Sequence, residues 1–260
     1  RYLRFVRSLR NDSDLLVRTL GYFASLGVYP ADCFIEQWGR VAVPQFTTWD
    51  RTDKYRAIYQ LAILDYLGVQ GGSKSTPCRD ILLPMMDDIS KHVDELFPDT
   101  VYGRVYYAAL WLGSNFIQTR RIQVRDETIS SDEVALVDGL KAKGMRIDES
   151  YVLPQTERRF DLVVKFNRHC VGVEIDGPSH FVYDAENKRM QYDGSTRFHT
   201  ELSVRLMGAD FRLLRIPFTQ FEKKNPIENI QKTLRCLNGV AKGEAYIMRG
   251  AESVRATSEV

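Results

Sequence analysis

The sequence predicts an all-α region followed by an α/β domain, because the spacing of its apolar residues changes near residue 129. Before that point, apolar side chains recur about every 3.6 residues, as they do on amphipathic helices. After it, short apolar runs typical of strands alternate with helical segments. We therefore expect a helical domain over residues 1–128, an α/β domain over 129–240 and a C-terminal tail over 241–260.

Caps and helix-breaking residues delimit five helices in the first domain. Pro30 begins the second and shortest of them, Gly68, Gly71 and Gly72 end the third, and Pro98 stops the fourth. The five predicted helices span residues 12–26, 30–38, 55–66, 81–97 and 101–121. Successive antiparallel helices of this kind predict a bundle or a short solenoid.

The last of these helices and the residues after it carry aromatic and basic side chains. The aromatic residues either pack between helices or stack on nucleic-acid bases. The basic residues lie either on a solvated face or against phosphate. The aromatic residues are Tyr106, Tyr107, Trp111 and Phe116, and the basic residues are Arg120, Arg121 and Arg125.

The α/β domain is predicted from seven elements in the order α-β-β-β-α-β-α. Ser130 and Glu133 form a capping box before its first helix, and Gly144 ends that helix. The later elements are strands at 145–153, 159–166 and 170–176, a helix at 196–207, a strand at 211–216 and a helix at 226–237. The strand–helix–strand step requires a parallel pair with a right-handed crossover. We therefore expect a small mixed sheet flanked by helices.

Composition limits the classes of function that this chain can have. The net charge is only +2, from 36 basic and 34 acidic residues, so nucleic-acid binding would depend on a local basic patch. No apolar run approaches the ~20 residues of a membrane span, and no membrane partner is expected. The four cysteines lie far apart, which argues against structural zinc and a disulfide framework. Four arginines within residues 1–10 belong either to a mitochondrial import region or to a solvated helix face.

Acidic residues interrupt the apolar strands of the α/β domain. Asp161 lies in the second strand, Glu174 and Asp176 end the third, and His180 follows a Gly-Pro break. A two-residue turn between these strands places Asp161 opposite Glu174, a four-residue loop places it opposite Asp176, and a three-residue loop places it opposite Ile175. With an even loop or a bulge the carboxylate oxygens share one face and suit Mg²⁺, which could activate water at a phosphodiester.

Each of these residues also has a structural interpretation. Glu133 completes the capping box, and Asp161 can pair with a neighbouring arginine such as Arg159. Asp176 begins an Asp-Gly-Pro sequence that favours a turn, and His180 can serve as a structural hydrogen-bonding group. The residues alone therefore leave catalysis, binding and a purely structural role open.

Residues 174–181, which read EIDGPSHF, resemble the core of the RAP domain, a family named for its abundance in apicomplexans. The likeness covers about residues 130–240 and includes an apolar strand that leads into Ile216-Pro217-Phe218. Two features differ from the family: its basic residues in the middle of the helix are replaced around His199–Glu201, and its tryptophan after the Pro-aromatic step is Phe221. The contacts that those family residues make are therefore not expected here.

RAP domains are similar to very-short-patch-repair and other PD-(D/E)xK nucleases, so the resemblance implies a restriction-endonuclease-like fold. It places Glu133, Asp161, Glu174 and His180 at active-site-like positions. The nuclease lysine falls at Asp176, so the cation that stabilises transition-state charge in such enzymes is replaced by an acid. The resemblance thus implies no cofactor, unless the site is catalytic and Asp161 and Glu174 hold Mg²⁺.

RAP proteins commonly join an N-terminal helical region to a role in organellar RNA metabolism, as the FAST-kinase-like proteins of animal mitochondria do. The resemblance therefore implies an RNA-binding protein of the mitochondrial matrix, or alternatively of plastids. We expect a component or assembly factor of the mitochondrial ribosome, with rRNA and ribosomal or assembly-factor proteins as partners. The candidate RNA-binding residues are Arg120, Arg121, Arg125, His180 and Arg197. The alternatives are a Mg²⁺-dependent endoribonuclease that processes organellar RNA and a purely protein-binding module.

Overall fold

The computed structural model describes residues 12–74, 76–91, 99–113, 131–149, 151–153, 158–166, 169–185, 188–207, 211–220, 226–239, 245–249 and 252–255. These residues form two compact units. The first unit contains the chain up to Ile122 together with Val182–Phe198. The second unit contains Gln123–Phe181 together with His199–Glu259. The predicted fold class is confirmed at this level, since helices precede a mixed sheet that helices flank.

The described helices of the first unit agree with the predicted segments. They are α1 (Ser13–Leu26), α2 (Asp32–Ala42), α3 (Arg51–Gln70), α4 (Pro77–Ser90) and α5 (Asp99–Leu112). Helix α4 begins four residues before the predicted start because Pro77 occupies its first turn, where a missing N–H costs nothing. Among the described residues, no helix has the length and hydropathy needed to cross a bilayer.

Helix α3 lies at the centre of the first unit and is buried along most of its length. A buried carboxylate, Asp65, ties it to its neighbours: it accepts a hydrogen bond from Trp111 Nε1 of α5 at 2.7 Å and another from Thr76 Oγ1 before α4. Trp111 also packs edge-on against Tyr66. For Trp111, the interpretation as a residue packed between helices is therefore confirmed, whereas Phe116 lies outside the described residues.

The remaining elements begin with another helix and then build the strands. They are α6 (Ser131–Ala142), β1 (Arg146–Asp148), β2 (Val152–Leu153), β3 (Arg158–Arg159), β4 (Leu162–Phe166), β5 (His169–Asp176), β6 (Phe181–Asp184), β7 (Arg189–Tyr192), α7 (Gly194–Met207), β8 (Phe211–Pro217), α8 (Pro226–Gly239), β9 (Ala245–Arg249) and β10 (Glu252–Arg255). The β6–β7 hairpin has no counterpart in the prediction. Strands β9 and β10 lie where the sequence predicts a C-terminal tail.

The main sheet has the strand order β1-β4-β5-β8-β9-β10. Strands β4 and β5 are antiparallel, and Phe166 is opposite His169, so two residues separate the paired positions along the chain. This is the first of the three registers considered from the sequence. Strands β5 and β8 are parallel, as the strand–helix–strand order predicts.

Each face of this sheet packs against its own apolar residues. On one face, strand residues such as Val164 and Leu214 pack against Leu136 and Leu140 of α6 and against Leu234 of α8. The opposite face carries a second core cluster, and its members Phe160, Val163, Phe211 and Leu213 pack against Val204 and Leu206 of α7. Because side chains alternate along a strand, the residues that share a face with Val163 and Leu213 belong to the α7 side.

Candidate functional site

The acidic residues predicted from the sequence lie close together at one end of β4 and β5. Leu162 is opposite Val173, so Asp161, the residue before β4, is level with Glu174. Strand alternation puts Glu174 on the α7 side, together with Asp176, two positions after it. Asp161 Oδ2 accepts a hydrogen bond from the backbone N–H of Ile175 at 2.5 Å, which fixes the carboxyl group beside β5.

Asp161 is the most perturbed of these carboxyl groups. Burial, together with the nearby charges of Glu174, Glu133 and Asp176, raises the pKa of Asp161 to about 8, although the Ile175 hydrogen bond opposes the shift. Asp161 is therefore largely protonated at neutral pH. Glu133 of α6 and Glu174, two of the other active-site-like positions, therefore both act on Asp161 through charge.

A buried ion pair joins β5 to β8. Arg215 Nε donates to Asp176 Oδ2 at 2.9 Å, Arg215 Nη2 donates to Asp176 Oδ1, and each side chain is only 1% exposed. Arg215 Nη1 reaches Thr200 Oγ1 of α7 at 3.4 Å. Arg215 is the register partner of Glu174, so it lies beside β5 on the side away from β4. This fork-to-carboxylate geometry is the strongest kind of ion pair that side chains form.

His180 follows β5 in a short 3₁₀ turn, Pro178–His180. Its Nδ1 lies 3.7 Å from Asp176 Oδ1, and 38% of its side chain is exposed. The next residue, Phe181, packs edge-on against Phe218, which begins the turn after β8, with ring centroids 5.7 Å apart. His180 therefore lies at the solvent boundary of the site, next to the carboxyl ends of two parallel strands, where ligands commonly bind in open α/β sheets.

The arrangement differs from a set of three converging metal ligands. In the part of the chain that the structure describes, no group of three or more His, Cys, Asp or Glu side chains is placed to hold a metal ion. Asp176 directs both carboxylate oxygens to Arg215. Asp161 and Glu174 are the two carboxyl groups that lie level with each other, and they are the residues that would hold a divalent cation.

Comparison of the sequence with protein-family models and with curated proteins finds no match to this chain. The interpretation of the site therefore depends on its own geometry and on the residues described above.

The predicted RNA-binding residues have separate positions. Arg120, Arg121 and Arg125 lie outside the described residues. Arg197 Nη1 donates to the carbonyl oxygen of Gly27 at 3.1 Å, at the C-terminal end of α1, so at least one of its donors has a structural role.

Sequence reasoning missed Arg215, although a signal was present. It is a charged residue within the apolar run Leu213 to Ile216, and a charge in such a run requires a partner.

Proposed function

We propose that this chain is an organellar RNA-binding protein whose second unit has a RAP-like, restriction-endonuclease-like fold and binds RNA without cleaving it. RNA binding is inferred from the resemblance of residues 174–181 to the RAP core. The lack of cleavage is inferred from one observation, the buried pair between Asp176 and Arg215. Asp176 stands where the nucleases have lysine. The guanidinium of Arg215 donates to both carboxylate oxygens of Asp176 and is therefore not directed at a substrate.

The order and register of the strands support the proposed fold. An acid precedes β4, two more acids end the antiparallel β5, and a crossover through α7 leads to the parallel β8. A PD-(D/E)xK-like core needs this succession of a hairpin, a helix and a parallel strand to bring its acidic residues onto one face. The loss of the lysine on that scaffold supports a binding role.

The experiment is a filter-binding titration of the purified chain with single-stranded RNA, followed by incubation of the complex with Mg²⁺ or Mn²⁺. We expect an affinity that weakens as salt is raised, because phosphate contacts release counterions, and RNA that stays intact. Undetectable or salt-independent binding would contradict the RNA-binding proposal. Cleavage that requires the metal would contradict the non-catalytic part of it.

We further propose that the protein acts in the mitochondrial matrix as a component or assembly factor of the ribosome, with rRNA and ribosomal proteins as its partners. The modest net charge of +2 supports a role within a larger assembly over one as an independent, strongly basic RNA binder. Ultraviolet crosslinking in the source cells, followed by sequencing of the attached RNA, should recover mitochondrial rRNA. Recovery of cytosolic RNA alone would contradict the proposal.

A Mg²⁺-dependent endoribonuclease is the second candidate, and the juxtaposition of Asp161 and Glu174 favours it. Two carboxylates at one level of adjacent strands can hold a divalent cation that activates water. If this candidate is correct, Asp161→Asn abolishes metal-dependent cleavage. The exposed Asp138→Asn, on α6, serves as the control and should cleave like the unmodified chain. Equal cleavage by Asp161→Asn would exclude the assigned site.

A further inference from the structure

Two basic side chains lie directly opposite each other near the edge of the main sheet. Arg146 of β1 is the register partner of Lys165 of β4, and both residues are exposed. Residues in this relation have Cβ atoms about 4.5–5.5 Å apart, and like charges there destabilise a sheet. Within the described ranges, neither residue forms an ion pair with a carboxylate. The pair therefore concentrates positive charge at this position and lowers the stability of the sheet.

Protection of the sheet edge does not account for both residues. Charged residues on an edge strand discourage pairing with other chains, and this explains Arg146 on β1, which pairs only with β4 among the described strands. Lys165 belongs to β4, one strand further in, where β1 and β5 cover both backbone edges. A ligand that carries negative charge accounts for both side chains.

A partly exposed aromatic ring adjoins the basic pair. Tyr151 packs against Phe211 and Phe160 with ring centroids 5.4 and 6.3 Å apart, and its side chain is half-buried. Cys170, the register partner of Phe211, packs against the same apolar cluster as Tyr151, so the ring lies near Cys170. Cys170 is also the register partner of Lys165. An aromatic ring beside two cations is the combination that single-stranded nucleic acid uses, through base stacking and phosphate contacts.

The basic pair is also separated from the acidic site. Lys165 lies four residues along β4 from Asp161, about 13 Å at the rise of a strand. A phosphodiester chain is repelled by carboxylates and attracted by Arg and Lys. The Arg146 end carries two cations beside one carboxylate, Asp148, whereas the other end carries three carboxyl groups beside one guanidinium, so the backbone of an RNA favours the Arg146 end.

We propose that Arg146 and Lys165 bind the phosphodiester backbone of single-stranded RNA, with Tyr151 beneath one unpaired base. The assignment deepens the proposed RNA-binding function and rests on it. It identifies the β1–β4 edge, rather than the acidic face, as the place where phosphates are held. Single-stranded RNA is specified because a duplex keeps its bases stacked on one another and away from a side-chain ring.

The test measures the affinity of the full chain for a fluorescent oligouridine between 50 and 200 mM salt. Two ion contacts with a single strand contribute about 1.4 to the slope of log affinity against log salt. We expect the double substitution Arg146→Gln/Lys165→Gln to reduce the slope by about that amount. The control is Arg205→Gln/Lys232→Gln, which removes the same charge from residues already paired with Glu201 and Glu228 and should keep the original slope.

The ring is tested separately from the charges. Tyr151→Ala should weaken binding of oligouridine by about 5- to 160-fold, which corresponds to the ~1–3 kcal/mol of one base stacked on an aromatic ring. The slope should not change, and Tyr151→Phe should keep most of the affinity. A duplex of the same length should show no dependence on residue 151. Unfolding curves of all variants identify any loss of affinity that comes from a loss of structure.

The possible outcomes distinguish a failure of the proposed backbone site from a failure of the proposed RNA-binding function. If the unmodified chain binds RNA and the double substitution keeps its slope, the backbone site is wrong and RNA binding stands. An equal fall in slope for the control would also overturn the site, because net charge alone would then explain the effect. A chain that does not bind RNA under these conditions overturns both proposals.

Discussion

Asp161 keeps its proton at neutral pH because burial and the Glu174 charge raise its pKa to about 8. An unfolded chain gives the same side chain a pKa of about 3.9. Between these two values the folded protein binds one more proton than the unfolded chain, so the free energy of unfolding falls as pH rises. The stabilising contribution of the protonated group is complete below pH ~4 and is lost by pH ~8.

This predicts a pH dependence that Asp161→Asn removes, since asparagine does not titrate. Between pH 5 and 8 the unmodified chain should lose up to about 1.4 kcal/mol of unfolding free energy per pH unit relative to this variant. Urea unfolding of both proteins at several pH values measures the difference, and Asp148→Asn at an exposed position should follow the unmodified chain. A difference that stays constant with pH would show that Asp161 titrates normally.

Arg215 leads to a second prediction at the scale of single residues. Replacing it with methionine leaves Asp176 buried without the guanidinium that now accounts for two of its hydrogen bonds. Breaking one partner of a buried pair costs about 3–5 kcal/mol, so thermal unfolding should occur at a much lower temperature. The exposed pair of Arg205 and Glu201 supplies the control, because Arg205→Met should cost less than about 1 kcal/mol.

The double substitution Asp176→Leu/Arg215→Met distinguishes the cost of an isolated charge from the value of the pair. Removing both charges should recover most of the stability, because apolar residues of similar size often replace a buried pair without loss. A double variant as unstable as Arg215→Met would contradict this and would assign the effect to Arg215 packing alone.

Among the elements, α7 approaches α1 so closely that its first residue must lack a side chain. A Cβ atom built on Gly194 would lie 2.0 Å from the carbonyl oxygen of Ala24, and a backbone atom cannot move aside cheaply. Gly194→Ala should therefore destabilise the first unit by about 1–3 kcal/mol, the usual cost of overpacking. Thermal unfolding measures this loss.

A second glycine in a helix provides the control for this substitution. At Gly103 of α5 the nearest atom to an added Cβ is 3.9 Å away, in the ring of Tyr107. Gly103→Ala should raise stability by about 0.5–1 kcal/mol, because alanine loses less backbone entropy in a helix. A fall in stability for both variants, or for neither, would contradict the account of the Gly194 contact.

Apolar side chains predict the elements that build a core and miss those that do not. The stripes of α1 and α3 recur about every 3.6 residues, and β4, β5 and β8 are short apolar runs, so their positions could be predicted. The β6–β7 hairpin has exposed apolar residues, Tyr183 and Met190, and forms a separate two-stranded sheet, so it gives no alternating signal.

At the scale of the whole molecule, contacts between distant parts of the chain determine the features that local sequence patterns do not predict. Val182–Phe198 belongs to the first unit because Ser195 hydrogen-bonds to Tyr59 and because Phe198 packs against Trp111. The sequence predicts that acids meet on one face for an even loop between β4 and β5, and the structure has that even spacing. It could not predict the Asp176–Arg215 pair from spacing, since the partners are 39 positions apart and meet only through the parallel β5–β8 register.

The charge balance of the whole chain gives the last prediction. With 36 basic and 34 acidic residues, the molecule as a whole attracts a polyanion weakly, so RNA affinity depends on a few local contacts. Two to four phosphate contacts with a single strand correspond to a slope of about −1.4 to −2.8 for log affinity against log salt. Titrations of oligouridine from 50 to 200 mM salt measure that slope. A value steeper than about −5 would require seven or more phosphate contacts, and RNA would then have to lie along an extended basic surface rather than at local clusters such as Arg146 and Lys165.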